Sequence, residues 1–235
     1  MQTSLEATPQ RLGSVALSAL NLTKTYGRGS GTVRALNGIS VNIRRGELTV
    51  VGGPAGAGKT TLVHCLAGLD KASAGRVFIG GQEISQLRGR ALLRATSGRV
   101  SLVAGQPRLL PEWTALQNIL LPLDLTAGRA DHDQLRAVVG ALELEHLLAK
   151  PARELTVVQQ QRISIARAAI IAPEVIFVDS VCGAVDGAGA RDLSIALRAV
   201  CRELGQTVVM ASRLPSAYAD RVLMLDHGLL VDDVR

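Results

Sequence analysis

The sequence is almost without aromatic residues: one tryptophan, two tyrosines and two phenylalanines make up 2% of 235 residues. The apolar fraction of 47% is still ample for a core, so that core must be built from Ala, Leu, Val and Ile. Cysteine is also scarce. Cys65, Cys182 and Cys201 stand in apolar stretches without metal-ligand spacing, a pattern of buried, reduced thiols in a cytoplasmic chain rather than of a disulfide framework. His64, His132, His146 and His227 show no ligand spacing either, and plain surface or core roles are expected of them. No apolar run reaches membrane-spanning length, because Arg167 and Glu174 interrupt the longest candidate. The N-terminus has no charged start followed by a long apolar stretch, so no export signal is expected. Blocks of like charge are missing too. The net charge of +6 is spread as single arginines, which suits solubility or an acidic membrane surface and leaves no nucleic-acid footprint.

What is present is a glycine-rich loop in a telling context. Gly53-Pro54-Ala55-Gly56-Ala57-Gly58-Lys59-Thr60 matches G-x-x-x-x-G-K-[ST], and Thr61 follows it. Glu47 to Val51 reads as a short buried strand before it, and Thr60 to Leu69 as a helix after it. In that setting the glycines turn backbone N–H groups inward, and the new helix aims its positive end at the same place. The arrangement cradles the phosphates of a nucleoside triphosphate, with Lys59 on the β- and γ-phosphates and the Thr60 hydroxyl on Mg²⁺.

Elsewhere, residues 1–14 read as a loose polar tail. Val15 to Leu22 and Val33 to Ile43 read as strands of an N-terminal antiparallel β region. Further strands are predicted at Arg76 to Ile79, Arg99 to Ala104, Val175 to Val178, Thr207 to Ala211 and Arg221 to Leu225. From Trp113 to Leu148 apolar residues fall at helical spacing, interrupted by Pro122 and Gly128; this reads as an inserted lobe in which Trp113 packs. Leu155 to Ile171 and Asp192 to Leu204 read as helices. Strands alternating with helices argue an α/β sheet.

With these pieces placed, Val15 to Val231 resembles the nucleotide-binding subunit of an ABC transporter. Leu109-Leu110-Pro111-Glu112-Trp113-Thr114-Ala115-Leu116-Gln117-Asn118-Ile119 is similar to the branch serving lipoprotein, macrolide or peptide export. The resemblance implies an α/β P-loop NTPase core with an inserted helical subdomain at about residues 107–158, within a single domain spanning 15–235. It implies ATP and Mg²⁺ as ligands, a membrane permease as partner, and pairing with a second ATP-binding subunit as a homodimer or heterodimer. The chain would sit at the cytoplasmic face of the membrane, peripheral and without a span of its own. Tyr26 falls where the family stacks an aromatic ring on adenine, unless it is an ordinary strand-end tyrosine. Asp179 ends its apolar strand as the family's Mg²⁺-supporting aspartate does. Asp186, in Gly183-Ala184-Val185-Asp186, matches the loop that crosses the dimer interface, or else closes a plain turn.

Four departures from the family pattern fall on the chemistry. The glutamate that polarises the attacking water is replaced by Ser180, and a missing general base costs about 10²–10⁴-fold in rate. The signature Leu-Ser-Gly-Gly-Gln is here Leu155-Thr156-Val157-Val158-Gln159, placing branched side chains, reluctant to adopt positive φ, where close approach to the partner's γ-phosphate is needed. Arg213 stands at the switch histidine; it either grips phosphate or is a solvated surface arginine, and it cannot accept a hydrogen bond. The loop glutamine aligns with Gly105, so that Gln106 reaches the metal only through a local bulge. Because each ATP lies between one subunit's phosphate loop and the other's signature, neither a copy of this chain nor an intact partner restores a complete site. The expectation is an ATP-binding subunit that couples ATP binding to export and hydrolyses weakly or not at all. The alternatives are an active transport ATPase and a regulatory or scaffold protein that needs no catalysis.

Overall fold

In the computed structural model, described for residues 15–27, 29–125, 131–179, 187–213 and 217–235, the strands form two sheets. β1 (Val15–Tyr26) and β2 (Val33–Arg44) pair antiparallel; β4 (Ala74–Ile79) lies on the other side of β1, with the two-residue β5 (Gln82–Glu83) at the edge. The second sheet has the order β10 (Leu229–Val234), β9 (Arg221–Asp226), β3 (Leu48–Gly52), β8 (Val208–Ala211), β7 (Val175–Asp179), β6 (Val100–Val103). All its pairings are parallel except β9 with β10.

β3, β8 and β7 are near-continuous runs of apolar residues because both of their faces are covered, whereas β9 alternates buried and half-buried positions. Alternate side chains divide between two cores. Leu48, Val50, Ile176, Val178, Val208 and Met210 pack on the helical side. Val51, Val175, Phe177, Val209 and Ala211 pack against the antiparallel sheet and α1 (Lys59–Leu66). Phe177 is the only aromatic residue in either cluster among the described residues, so the bulk is aliphatic, as the composition requires.

On the helical side lie α3 (Ala115–Leu125), α4 (His132–Ala141), α5 (Val157–Ala169) and α6 (Gly187–Leu204). Pro122 does not end α3, which runs on to Leu125 with the proline inside it. The segment before α3 is fastened by Asn118, fully buried, whose amide donates to the Leu110, Trp113 and Thr114 carbonyls and whose Oδ1 accepts from Leu110 N–H. Trp113 is 38% exposed, so its ring is only partly packed. α5 starts on a capping box: Thr156 Oγ1 accepts from Gln159 N–H at 3.2 Å, and Gln159 Oε1 from Thr156 N–H at 3.0 Å. Val157 and Val158 thus occupy the first helical turn and neither has a positive φ. The backbone objection to valine here is therefore withdrawn, and the objection from side-chain bulk stands alone.

Three elements have no counterpart in the expectations above: β5, β10 and α2 (Gly89–Thr96), a short helix whose only buried residue is Ala95, with Leu92 packed beside it. β1 runs on to Tyr26 and α6 begins at Gly187, both longer than their apolar patterns. α1 stops at Leu66 and not Leu69, because Gly68 turns the chain at φ 75°.

Candidate functional site

Parallel pairing decides what meets what. β3, β7 and β8 point the same way, with Val51 opposite Ala211 and Asp179 opposite Ala211 in register. Their carboxyl ends therefore share one edge of the sheet, the edge at which open α/β sheets place their ligands. The glycine loop leaves β3 there, Asp179 ends β7 there, and Ser212-Arg213 follows β8 there, with Ser212 N–H donating to Val51 O at 3.0 Å.

Two glycines fix the loop by close approach. At Gly53, φ is 137° and a Cβ would lie 2.2 Å from Leu225 O; at Gly58, φ is 100° and a Cβ would lie 2.3 Å from Ala35 O. No side chain fits either position, so the loop is clamped between β9 and β2. Gly58 leads straight into α1, and the start of that helix supplies Lys59, Thr60 and Thr61.

Lys59 Nζ donates to Gly53 O at 2.8 Å and to Pro54 O at 2.6 Å, which bends its ammonium back over its own loop. Burial first, and then the nearby Arg213 charge, hold its pKa below the usual lysine value. Arg213 itself is exposed. Among the described residues neither cation pairs with a carboxylate, so the loop concentrates positive charge that a polyanion would neutralise. The donor set thus fits a triphosphate.

Opposite the lysine, Thr60 Oγ1 donates to Asp179 Oδ1 at 2.9 Å. A hydroxyl and a carboxylate at that spacing form an all-oxygen pair of the kind hard divalent cations take, and this fits Mg²⁺. The structure adds a residue that the sequence reading set aside. His64 Nε2 lies 3.3 Å from Asp179 Oδ2, so the carboxylate is held at both oxygens by side chains from one helix. The signal was available: Thr60 and His64 are four apart and face the same way on α1.

The remaining predicted positions are spread more widely. Tyr26 ends β1 with its ring 42% exposed, its hydroxyl donating to Asp70 Oδ2 at 2.5 Å and Thr61 also within hydrogen-bonding reach. Gln106 is exposed; it is the neighbouring Gly105 whose carbonyl is engaged, accepting from Gln161 Nε2 of α5 at 2.6 Å. Ser180, Asp186 and Cys182 lie outside the described residues. Cys65 and Cys201 are free and buried, and burial pushes their thiols up to about 11 and about 12. No helix among the described residues is long and apolar enough to cross a membrane.

The family model described as ABC transporter matches residues 36–182, from β2 through the phosphate loop, the helical segment and β7. The chain belongs to the ABC transporter family. Within this family it is 33% identical, over 94% of its length and 100% of the relative, to the lipoprotein-releasing system ATP-binding protein LolD of Geobacter metallireducens. It is also 33% identical to the bacitracin export ATP-binding protein BceA of Halalkalibacterium halodurans, over 90% of this chain and 85% of that one. A solved ATP-binding cassette, described as dimeric and in a post-hydrolysis state with ADP and Pi, superposes with a TM-score of 0.78 at 28% identity, covering 93% of this chain and 98% of that one. The export-branch resemblance of the Leu109–Ile119 segment agrees with these ABC relatives.

Proposed function

We propose that the chain is the ATP-binding subunit of an ABC exporter, docking under a membrane permease and coupling ATP binding, more than ATP cleavage, to transport. The observation that carries this is the Thr60–Asp179 pair at 2.9 Å beside a glycine loop whose Lys59 ammonium pairs with no carboxylate among the described residues, groups that suit Mg²⁺ and a triphosphate. Bound Mg²⁺ would supply charge neutralisation for the triphosphate. The chain's own residues would do the holding: Gly53 to Thr61 the phosphates, Asp179 the metal's surroundings, and Arg213 the terminal phosphate.

Against this set stands the loss of the base at Ser180 and of the signature glycines at Val157 and Val158. Both defects lie in one chain, so pairing with a copy of itself or with an intact subunit leaves every composite site impaired. Nucleotide occupancy then acts as a switch, shifting the population of paired and separated states.

A groove offers a place for the permease. It is about 240 Å³, lies between the edge strand β6, α3 and α5, and is lined by Leu102, Leu121, Pro122, Leu125 and Ile171, with Arg167 among them. Leu125, the last residue of α3, is 77% exposed at the groove. Docking at this groove would place the chain at the cytoplasmic face of the membrane.

Purified chain is expected to bind Mg-ATP while releasing phosphate at background rate. Turnover of order 1 s⁻¹, inside the ordinary enzyme range, overturns the weak-hydrolysis reading. One observation favours an active ATPase instead: Arg213 adds a second fixed cation beside Lys59, and positioning with charge neutralisation carries much of phosphoryl transfer. Measurable ATPase that disappears with export in Lys59→Ala selects that reading; an unchanged phenotype in Lys59→Ala selects a scaffold with no use for nucleotide.

A further inference from the structure

Beside the phosphate loop, three side chains close a small polar cluster whose link to that loop is the Tyr26 hydroxyl, within hydrogen-bonding reach of Thr61. Lys24 Nζ donates to Asp70 Oδ1 at 2.5 Å and to Lys71 O at 2.7 Å, and it stands 4.6 Å from the centroid of the Tyr26 ring. The Tyr26 hydroxyl takes the other oxygen of the same carboxylate at 2.5 Å. Lys24 is 9% exposed, unusual for a lysine, whereas Tyr26 is 42% exposed. Asp70 lies four residues past the end of α1, so the carboxylate ties β1 to the turn that leaves the helix carrying the phosphate loop.

We propose that Lys24 and Asp70 are positioning residues for nucleotide-base recognition, holding the Tyr26 ring at a fixed tilt with one face covered by a cation and the other open to a purine. The inference rests on the reading that Tyr26 meets the base of ATP. A ring anchored only at its Cα swings about χ1 and χ2, and stacking on it carries the entropy of stopping that motion. Here the ring is held at both ends: by β1 at its Cα and by Asp70 at its hydroxyl. The ammonium 4.6 Å from the centroid occupies one π-face, within the range of a cation–π contact and strengthened by its burial. Only the solvent-facing side is left for a base to stack on. Hydrogen bonds from Lys24 and Tyr26 outweigh the burial of Asp70 and keep its carboxyl below the usual range, so the clamp is charged at neutral pH.

Calorimetric titration with Mg-ATP and with Mg-tripolyphosphate separates this role from a structural one. Tripolyphosphate lacks a base and reports on the phosphate loop alone. Asp70→Asn, Lys24→Met and Tyr26→Phe are each expected to weaken ATP binding about three- to tenfold, a fraction of a full stacking contribution, and to leave tripolyphosphate affinity unchanged. Tyr26→Ala is expected to weaken ATP further and again spare tripolyphosphate. If Tyr26→Ala is selective for ATP but Asp70→Asn and Lys24→Met bind both ligands like the parent, the clamp is refuted and the stacking reading survives. If Tyr26→Ala also binds ATP like the parent, stacking and clamp fall together. Equal loss of both ligands in Asp70→Asn and Lys24→Met reduces the cluster to a fold contact and overturns the proposal.

Discussion

Replacing Asp179 by asparagine tests the metal site most sharply, because it removes the charge while keeping the side chain's shape, the oxygen that faces His64 becoming an amide nitrogen. The asparagine Oδ1 can still accept from Thr60 Oγ1, now at 2.9 Å from the aspartate, so the loop geometry is retained. What disappears is the negative charge behind the proposed cation. A hydrogen bond to a charged group contributes about 1.5–3 kcal/mol, and Coulomb attraction over roughly 5 Å at an effective dielectric near 20 gives about 3 kcal/mol per unit of charge, about 7 kcal/mol for a divalent cation before the triphosphate's own charge offsets most of it. The Asp179 side chain is 18% exposed, so solvent screening favours the lower end. About 1.5 kcal/mol corresponds to roughly a tenfold weaker Kd for Mg-ATP. Binding of metal-free ATP should move the opposite way or not at all, since the same carboxylate repels a bare triphosphate. Titration with a fluorescent ATP analogue in magnesium and in EDTA measures both. An Asp179→Asn variant with the parent's magnesium dependence would refute a metal-supporting role for this residue.

The other predictions concern the frame around the site. Gly58→Ala puts a Cβ 2.3 Å from Ala35 O at φ 100°, and should destabilise the fold by about 1–3 kcal/mol with loss of nucleotide binding, read by urea unfolding and titration. Thr156→Ala removes the side-chain cap of α5 and should lower stability by about 1 kcal/mol in the same unfolding assay. Glu174 is partly buried, but hydrogen bonds from Arg45 and Arg99 outweigh that burial and hold its carboxyl below the usual range. Its stabilisation is therefore present above the unfolded-state pKa and lost as pH falls through the lower folded value. Glu174→Gln should lower stability at pH 7 by about 1–2 kcal/mol, with the gap closing in acid below about pH 4, as urea midpoints across pH would record. Leu125→Glu, which places a charge at the 77%-exposed leucine of the β6–α3–α5 groove, should weaken association with permease-containing membranes and leave ATP affinity unchanged.

Much of this site is legible in the chain because its parts announce themselves locally. The strand, glycine loop and helix around Lys59 are contiguous, and Asp179 stands at the end of an unbroken apolar strand. Parallel strands buried on both faces have no alternation to misread, so β3, β7 and β8 were placed within a residue or two. The short elements were not legible. α2 has two arginines among eight residues and buries one alanine, while β10 is an edge strand whose residues are mostly exposed. β10 offers no buried face from which a period could be read, and α2, with Leu92, Ala95 and Thr96 facing inward, spans only two turns, too short a window to separate helix from turn. Long-range pairings were hidden for another reason. His64 meets Asp179 and Tyr26 meets Asp70 only after the chain has folded, and no local spacing encodes either pair beyond the shared α1 face of Thr60 and His64. The valines of the signature illustrate an over-reading: a capped first helical turn accepts both without a positive φ.

We propose that the protein holds the nucleotide and cleaves it weakly or not at all. Incubating the chain with Mg-ATP for minutes, separating it from free nucleotide and identifying what remains bound tests that claim in one step. Intact ATP in the bound fraction is the predicted result. ADP accumulating there with matching phosphate release would contradict it.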